Sequence, residues 1–138
     1  MKISARDEYA CLAVLDLALN YETELPIRVQ DIAQRQGIPM KFLFQIMQIL
    51  KRVDLVRSRR GTEGGYTLSR PPAQITVGDI IGAVSGPFVQ ASCVDSDNLF
   101  KPIWVQLDRA IGGVLNNITF EELVRREQSA QRQLMYHI

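Results

Sequence analysis

A cluster of positive side chains marks the part of this 138-residue sequence best suited to holding an anion. Five cations, Lys51, Arg52, Arg57, Arg59 and Arg60, fall within residues 51–60, where Asp54 is the one acid. The whole chain has a net charge of only +1, so the positive charge is local. Such clusters are typical of contact with the phosphate backbone of a nucleic acid. A charged helix end that only faces water is the alternative.

The other chemically reactive side chains are two cysteines. Cys11 lies three residues after Glu8 on a predicted helix, so both residues share one helix face. Cys93 lies in a predicted loop, where a reactive or ligating thiol is as reasonable as a structural one. Two cysteines make no disulfide framework and suit a reducing compartment. Cys11 alone also fits a small buried apolar residue.

Catalytic constellations are missing from the sequence. The one histidine, His137, lies beside the C-terminus, which excludes a Ser-His-Asp set, a Cys-His pair and a histidine metal site. The glycines of residues 61–65 lack the Lys-Ser/Thr of a phosphate loop. We therefore expect no enzyme. With no apolar run of membrane-spanning length and charges close to the N-terminus, we expect a cytoplasmic protein.

The cation cluster follows a pattern of three helices. Apolar spacing predicts the first over residues 8–20 and the second over 29–36, which Gly37 ends in a left-handed conformation. Ile38-Pro39 makes a tight turn, and a third helix follows from Met40 to about Val53 with one buried stripe. Two helices joined by such a turn are a candidate helix-turn-helix.

Two short alternating segments, residues 54–60 and 64–68, flank a glycine-containing turn and predict a basic β-hairpin. A helix-turn-helix followed by such a hairpin is a winged helix. A tip that lies against a phosphate backbone needs the permissive dihedrals of glycine. A hairpin whose arginines only protect a sheet edge from aggregation is the alternative.

The rest of the chain predicts helices and one loop. Thr76 caps a fourth helix to about Val84, residues 88–98 form a loop, and helical spacing spans residues 99–118 and 120–134. We expect a mostly α fold with a small β-hairpin wing: a winged helix-turn-helix (1–72), a connecting helix and sensor loop (73–98) and a helical dimerisation element (99–138). A long apolar stripe predicts the dimer interface: Ile103, Trp104, Leu107, Ile111, Val114 and Leu115.

Several segments, in this order along nearly the whole chain, resemble the Rrf2 family of bacterial winged-helix regulators. The Arg-Gly-x-x-Gly-Gly-Tyr wing is the most specific of them. The segments are Met1-Lys2-Ile3-Ser4, Glu8-Tyr9-Ala10, Asp31-Ile32-Ala33, Gly37-Ile38-Pro39, Ser58 to Leu68, Arg70-Pro71-Pro72, Ile75-Thr76-Val77, Trp104 and Leu115-Asn116-Asn117-Ile118-Thr119.

The resemblance implies a homodimeric transcription regulator that binds an imperfect palindrome in double-stranded DNA, with the long helix as dimer interface. The third helix would enter the major groove, where Gln pairs with adenine and Arg or Lys with guanine. The wing would reach the minor groove or its phosphates. The implied DNA contacts are Lys41, Phe42, Gln45, Arg57, Ser58, Arg59, Arg60, Gly64, Gly65 and Tyr66.

Two departures from the family pattern affect what can be carried over. Phe44 stands where cluster-sensing members have a Glu that accepts from cytosine, so the operator preference does not transfer. Those members also have three cysteines before the long helix, whereas this loop has Cys93 alone, with Asn98 and Lys101 at the positions of the last cysteine and of a histidine.

A conventional three-cysteine cluster site is therefore missing. One alternative is a [2Fe–2S] cluster with unconventional ligands: Glu8 and Cys11 of one subunit and Cys93 of the other, joined by Asp95 or Asp97. Two further alternatives are a thiol redox sensor and a regulator that acts mainly through a protein partner. Of these possibilities, we favour a regulator that binds no cofactor.

Overall fold

The computed structural model describes residues 2–136. Within that range the chain forms seven helices and one antiparallel hairpin, with short 3-10 turns at Tyr21–Thr23 and Pro72–Gln74. The elements are α1 (Ala5–Leu19), α2 (Val29–Gln36), α3 (Met40–Arg52), β1 (Val56–Arg59), β2 (Gly65–Leu68), α4 (Val77–Ser85), α5 (Ala91–Val94), α6 (Lys101–Leu115) and α7 (Phe120–Tyr136). The predicted fold class, mostly α with a β-hairpin wing, is confirmed.

Helix α1 begins three residues earlier than the sequence predicted. Ser4 is its N-cap: the Ser4 hydroxyl accepts from the Asp7 amide at 3.1 Å, and the Asp7 carboxylate accepts from the Ser4 amide at 2.9 Å. Asp7 therefore closes a capping box and is not itself an N-cap. The Ser85 hydroxyl also donates to Asp7, which joins the start of α1 to the end of α4.

The helix-turn-helix forms as the sequence predicted. Gly37 ends α2 in the left-handed conformation at φ 65°, which glycine adopts without steric cost. The Ile38 amide donates to the Ala33 carbonyl at 3.0 Å, and Pro39 precedes the first turn of α3. The buried face of α3 consists of Leu43, Ile46, Met47 and Leu50.

An isolated β-bridge from Ile27 supports the hairpin. Arg59 pairs with Gly65 next to the turn, and Ile27 exchanges two backbone hydrogen bonds with Tyr66, at 2.9 and 2.8 Å. Gly65 has φ 151°, and a Cβ there would overlap the Ile27 carbonyl. The segment just before α2 therefore packs edge-on against the wing.

The hydrophobic core surrounds α1 and includes residues from both ends of the chain. Ile80 of α4 and Phe120 at the start of α7 are completely buried there. The Phe120 amide donates to the Ile75 carbonyl, and the Val77 amide donates to the Ile118 carbonyl. The first turns of α7 are thus part of the same packed unit as the winged helix.

The segment from residue 88 to residue 118 differs in detail from the prediction. The predicted loop 88–98 contains the short helix α5, and α6 has 15 residues, shorter than the predicted 99–118. Asn116 caps the end of α6, and the Asn117 side chain donates to the Gly113 carbonyl at 2.6 Å. Close by, the side chain of Asn116 occupies the space that a Cβ on Gly78 would need.

Candidate nucleic-acid interface

Helix α3 presents a polar outer face because its apolar stripe is buried. Lys41, Gln45 and Gln48 follow the i, i+4, i+7 spacing of one helix face, and all three are exposed. Phe42 is 39% exposed. Its ring lies 6.1 Å from the ring of Tyr9, and the Lys41 ammonium lies 5.1 Å from its centroid. Lys41, Phe42 and Gln45, the α3 residues predicted to contact DNA, are therefore accessible.

The wing presents its cations to solvent. Arg57, Ser58, Arg59 and Arg60 are all exposed. The Arg57 guanidinium is 3.9 Å from Asp54, both on the surface, a geometry that holds an arginine weakly. Within residues 2–136, Arg59 and Arg60 take part in no ion pair with an acidic side chain. These two charges are available to an external anion.

The wing, the start of α2 and one residue of α3 line a single cleft of about 550 Å³. Its lining includes Phe44 of α3, Ser58 and Arg59 of the wing, and Arg28 just before α2. Arg28 also donates to the Thr62 carbonyl at 3.5 Å. A cleft with two guanidinium groups, a hydroxyl and a helix N-terminus is suited to phosphate oxygens.

Sequence reasoning missed Arg28 and Phe44 as members of this cleft. Arg28 is far from the wing in sequence and comes next to it because Ile27 pairs with Tyr66. The available signal was a cation directly before a predicted helix start. Phe44 stood out only as a departure from a family pattern, although an aromatic residue off the buried stripe of α3 was itself a signal.

The turn of the hairpin leaves no space for a side chain at Gly64. A Cβ on Gly64 would overlap the Arg59 carbonyl oxygen, so a side chain there would open the turn. Gly64, Gly65 and Tyr66 are all partly buried. These three predicted contact residues shape the wing and leave the surrounding arginines exposed.

A buried ion pair holds α2 against α1. The Asp16 carboxylate, 2% exposed, accepts from Arg35 Nε at 3.0 Å, from Arg35 Nη2 at 2.8 Å and from Gln36 Nε2 at 3.1 Å. The hydrogen bonds that the Arg35 guanidinium donates to Asp16 raise its pKa above the ordinary value. Since α2 leads directly into the turn before α3, this pair helps to set the orientation of α3.

The candidate metal and redox residues do not form a ligand set within one chain. Burial, with Asp7 and Glu8 nearby, raises the pKa of the Cys11 thiol to about 11, which disfavours the thiolate that binds metals. Cys93 lies in α5, where its carbonyl accepts from the Ser96 hydroxyl at 2.8 Å. Residues 2–136 bring no three His, Cys, Asp or Glu side chains into one metal-binding group. The side chains of a single chain therefore do not fit an iron–sulfur cluster.

The predicted dimer stripe lies on an open face of α6, which has no buried residue. Ile103 and Val114 are 52% and 60% exposed, whereas Trp104, Leu107, Ile111 and Leu115 are partly covered. Trp104 stacks on Phe100 with ring centroids 6.0 Å apart. Ile111, Val114 and Leu115 line an apolar groove of about 400 Å³. The face is available to a partner.

Two further observations bear on the predictions. Between residues 2 and 136, no helix combines the length and hydropathy of a membrane span. His137, the one histidine of the sequence, lies outside the described residues.

The fold and its cationic cleft define a winged-helix DNA-binding regulator. A family model described as Rrf2, iron-dependent transcriptional regulator, matches residues 3–126. The transcriptional regulator IscR of Klebsiella pneumoniae (strain 342) is 36% identical over 135 residues, which cover 93% of this chain and 82% of that protein. A putative transcriptional regulator of Haemophilus influenzae is 38% identical over 133 residues, 91% of this chain and 88% of that protein.

Solved structures agree with the sequence comparisons. T. potens IscR superposes with a TM-score of 0.80 at 34% identity, covering 95% of this chain and 91% of that one. CymR, the global cysteine regulator of B. subtilis, superposes with a TM-score of 0.79 at 31% identity, covering 91% of this chain and 98% of that one. The chain belongs to the Rrf2 family of transcriptional regulators, so the resemblance stated from the sequence is confirmed.

Proposed function

We propose that this chain is a homodimeric, sequence-specific regulator that places α3 in the major groove and the wing on the minor groove or its phosphates. The observation that carries the proposal is the cationic cleft, which Arg28, Arg59 and Phe44 of α3 line together. Phosphate contacts from the arginines fix the position of the protein on the duplex, and α3 then reaches base edges. The proposed place of action is the bacterial cytoplasm.

The homodimer is part of the proposal. Support comes from α6, where a stripe of large apolar residues lies open in a single chain. Burying such a face contributes roughly 25 cal/mol per Å² of apolar surface. Two copies present two winged helices, which is the symmetry that an imperfect palindrome requires. In this arrangement residues 1–72 contact DNA, 73–98 connect, and 99–138 assemble the dimer.

We do not propose an iron–sulfur cluster as the group that detects the signal. Some relatives are named IscR, and the family model is described as iron-dependent. The donor set of one chain does not fit such a group, because Cys11 is held as a neutral thiol and Cys93 is the one cysteine of its loop. No step of the proposed mechanism passes through a metal.

Salt dependence of DNA binding tests the proposal. The slope of log K against log salt reports the number of phosphates that the protein neutralises, about 0.9 per phosphate on B-DNA. We expect Arg59→Ala/Arg60→Ala to weaken binding to every duplex and to lower that slope by about two units. Fluorescence anisotropy with a labelled duplex at several salt concentrations measures both quantities.

A matched charge control is available on α7. Arg125 and Arg126 pair with Glu121 and Glu122 at 2.9 and 2.7 Å, away from the cleft, so Arg125→Ala/Arg126→Ala removes the same charge. We expect it to leave the slope unchanged. An equal loss in both double variants would show a nonspecific charge effect. No salt-dependent binding by the native chain would contradict the proposed function and favour action through a protein partner.

A further inference from the structure

Phe44 is an aromatic residue that the packing of the protein does not explain. It is 48% exposed on α3. Among the described residues it belongs neither to the hydrophobic core nor to the apolar side chains packed against that core. Phe42, by contrast, has Tyr9 and Lys41 as neighbours. The exposed ring of Phe44 is therefore free to contact something outside the chain.

The surroundings of Phe44 are polar and cationic. It lines the cleft between α3 and the wing together with Arg28, Ser58 and Arg59. If these three hold the phosphates of a DNA strand, the bases of that strand lie beside the α3 wall of the cleft. An apolar ring there remains in contact with water unless the DNA offers it an apolar surface.

Only one base offers such a surface in the major groove. The edges of guanine, cytosine and adenine carry hydrogen-bond donors and acceptors, whereas thymine adds the 5-methyl group. Phenylalanine has no hydrogen-bonding atom in its side chain, so it cannot select any of the other edges by pairing. Contact with the methyl group removes apolar surface of both partners from water.

We propose that Phe44 is a specificity-determining residue that selects thymine at one position of each half-site through its 5-methyl group. This inference rests on the proposed function, since it requires α3 in the major groove. Phe44 adds no phosphate contact, so its contribution lies in the choice of operator and not in the salt dependence.

Replacing thymine with deoxyuridine isolates the methyl group, because every hydrogen-bonding atom of the base is retained. The full-length protein first selects duplexes from a randomised library, and each thymine of the selected half-site is then changed singly to deoxyuridine. We expect one symmetric thymine at which native affinity falls about fourfold per half-site, the change that corresponds to about 0.8 kcal/mol per buried methyl. Phe44→Ala should show no difference between thymine and deoxyuridine there.

Two control variants complete the experiment. Phe44→Leu keeps an apolar contact and should retain part of the discrimination. Phe42→Ala removes the neighbouring aromatic ring and should keep the native ratio of thymine to deoxyuridine affinity, whatever its effect on total affinity. Circular dichroism melts of all variants verify that each is folded.

The outcomes separate this inference from the proposed function. Salt-dependent binding by the native protein with no thymine sensitive to methyl removal would overturn the role of Phe44 alone. The same sensitivity in Phe44→Ala as in the native protein would also overturn it. Failure of the native protein to retain any duplex would overturn the proposed function, and this inference with it.

Discussion

At the scale of single residues, the buried carboxylate of Asp16 is the most consequential polar group away from the cleft. Its partner Arg35 is half exposed, while Asp16 itself is almost fully enclosed. The two partners are therefore not equivalent. Removing the arginine leaves a buried charge, whereas removing the carboxylate leaves a guanidinium that water can reach.

We expect Arg35→Ala to lower the free energy of unfolding by roughly 2–3 kcal/mol, because the Asp16 carboxylate then keeps only Gln36 as a partner. The double variant Asp16→Ala/Arg35→Ala should recover part of this loss, since no charge is left buried. Urea unfolding at one fixed protein concentration measures both. Arg125→Ala, at an exposed pair on α7, should cost about 0.5 kcal/mol or less. Equal losses for Arg35→Ala and Arg125→Ala would contradict this account of Asp16.

The raised pKa of Cys11 predicts how its rate of alkylation depends on pH. With a pKa of about 11, the thiol is neutral around pH 8, where about one molecule in a thousand carries the reactive thiolate. Alkylation by iodoacetamide in a Cys93→Ser variant should thus be slow at pH 8 and should accelerate as the pH rises towards 11. Mass spectrometry follows the reaction. Rapid alkylation at pH 8 would show an ionised Cys11 and return it to the list of candidate ligands.

At the scale of helices and strands, the sequence was most informative where a local signal ends or begins an element. Gly37 and Thr76 took the predicted capping positions, because their preference depends on their own backbone and side chain. The limits of α6 were predicted less well. Apolar spacing continues through Ile118, but backbone pairing of Ile118 with Val77 takes that residue out of the helix.

The cleft shows the other limit of sequence reasoning. Several of its wing residues were predicted because they are close in sequence and carry a pattern, whereas the predicted α3 residues Lys41, Phe42 and Gln45 do not line it. Arg28 enters the site through a strand pairing between Ile27 and Tyr66, residues far apart in the chain. A single sequence does not show such long-range pairing, since register depends on the whole packed unit.

A pair of glycines in α4 tests the packing of the turn between α6 and α7. Alanine is about 1 kcal/mol more favourable than glycine within a helix. A Cβ on Gly82 meets nothing within 4 Å, whereas one on Gly78 overlaps the Asn116 side chain. We expect Gly82→Ala to stabilise the protein by up to about 1 kcal/mol and Gly78→Ala to give no gain.

The double variant Gly78→Ala/Asn116→Ala identifies the cause of that difference. Once the Asn116 side chain is removed, the higher helix propensity of alanine should make Gly78→Ala stabilising. Thermal unfolding of the native protein, Gly78→Ala, Asn116→Ala and the double variant measures the coupling. A gain from Gly78→Ala alone would show that Asn116 turns aside without cost.

At the scale of the whole molecule, the open face of α6 is the basis for predicting assembly. Ile103 is exposed in the single chain, so a charge there is not expected to unfold it. We predict that Ile103→Glu yields monomers in sedimentation velocity, because a dimer would have to bury an unpaired carboxylate. Gln106→Glu, exposed on α6 but off the apolar stripe, should remain dimeric. A dimer that survives Ile103→Glu would place the interface elsewhere.

The backbone pairing of Ile27 with Tyr66 has a mechanical consequence for DNA. It joins the wing to the segment that enters α2, so its two backbone hydrogen bonds restrain the wing relative to the helix-turn-helix before any duplex is bound. A rigid protein leaves the bending and groove adjustment to its partner, and the cost of that deformation depends on the base steps involved. The stiffness of an operator therefore contributes to its affinity at base pairs that no side chain touches.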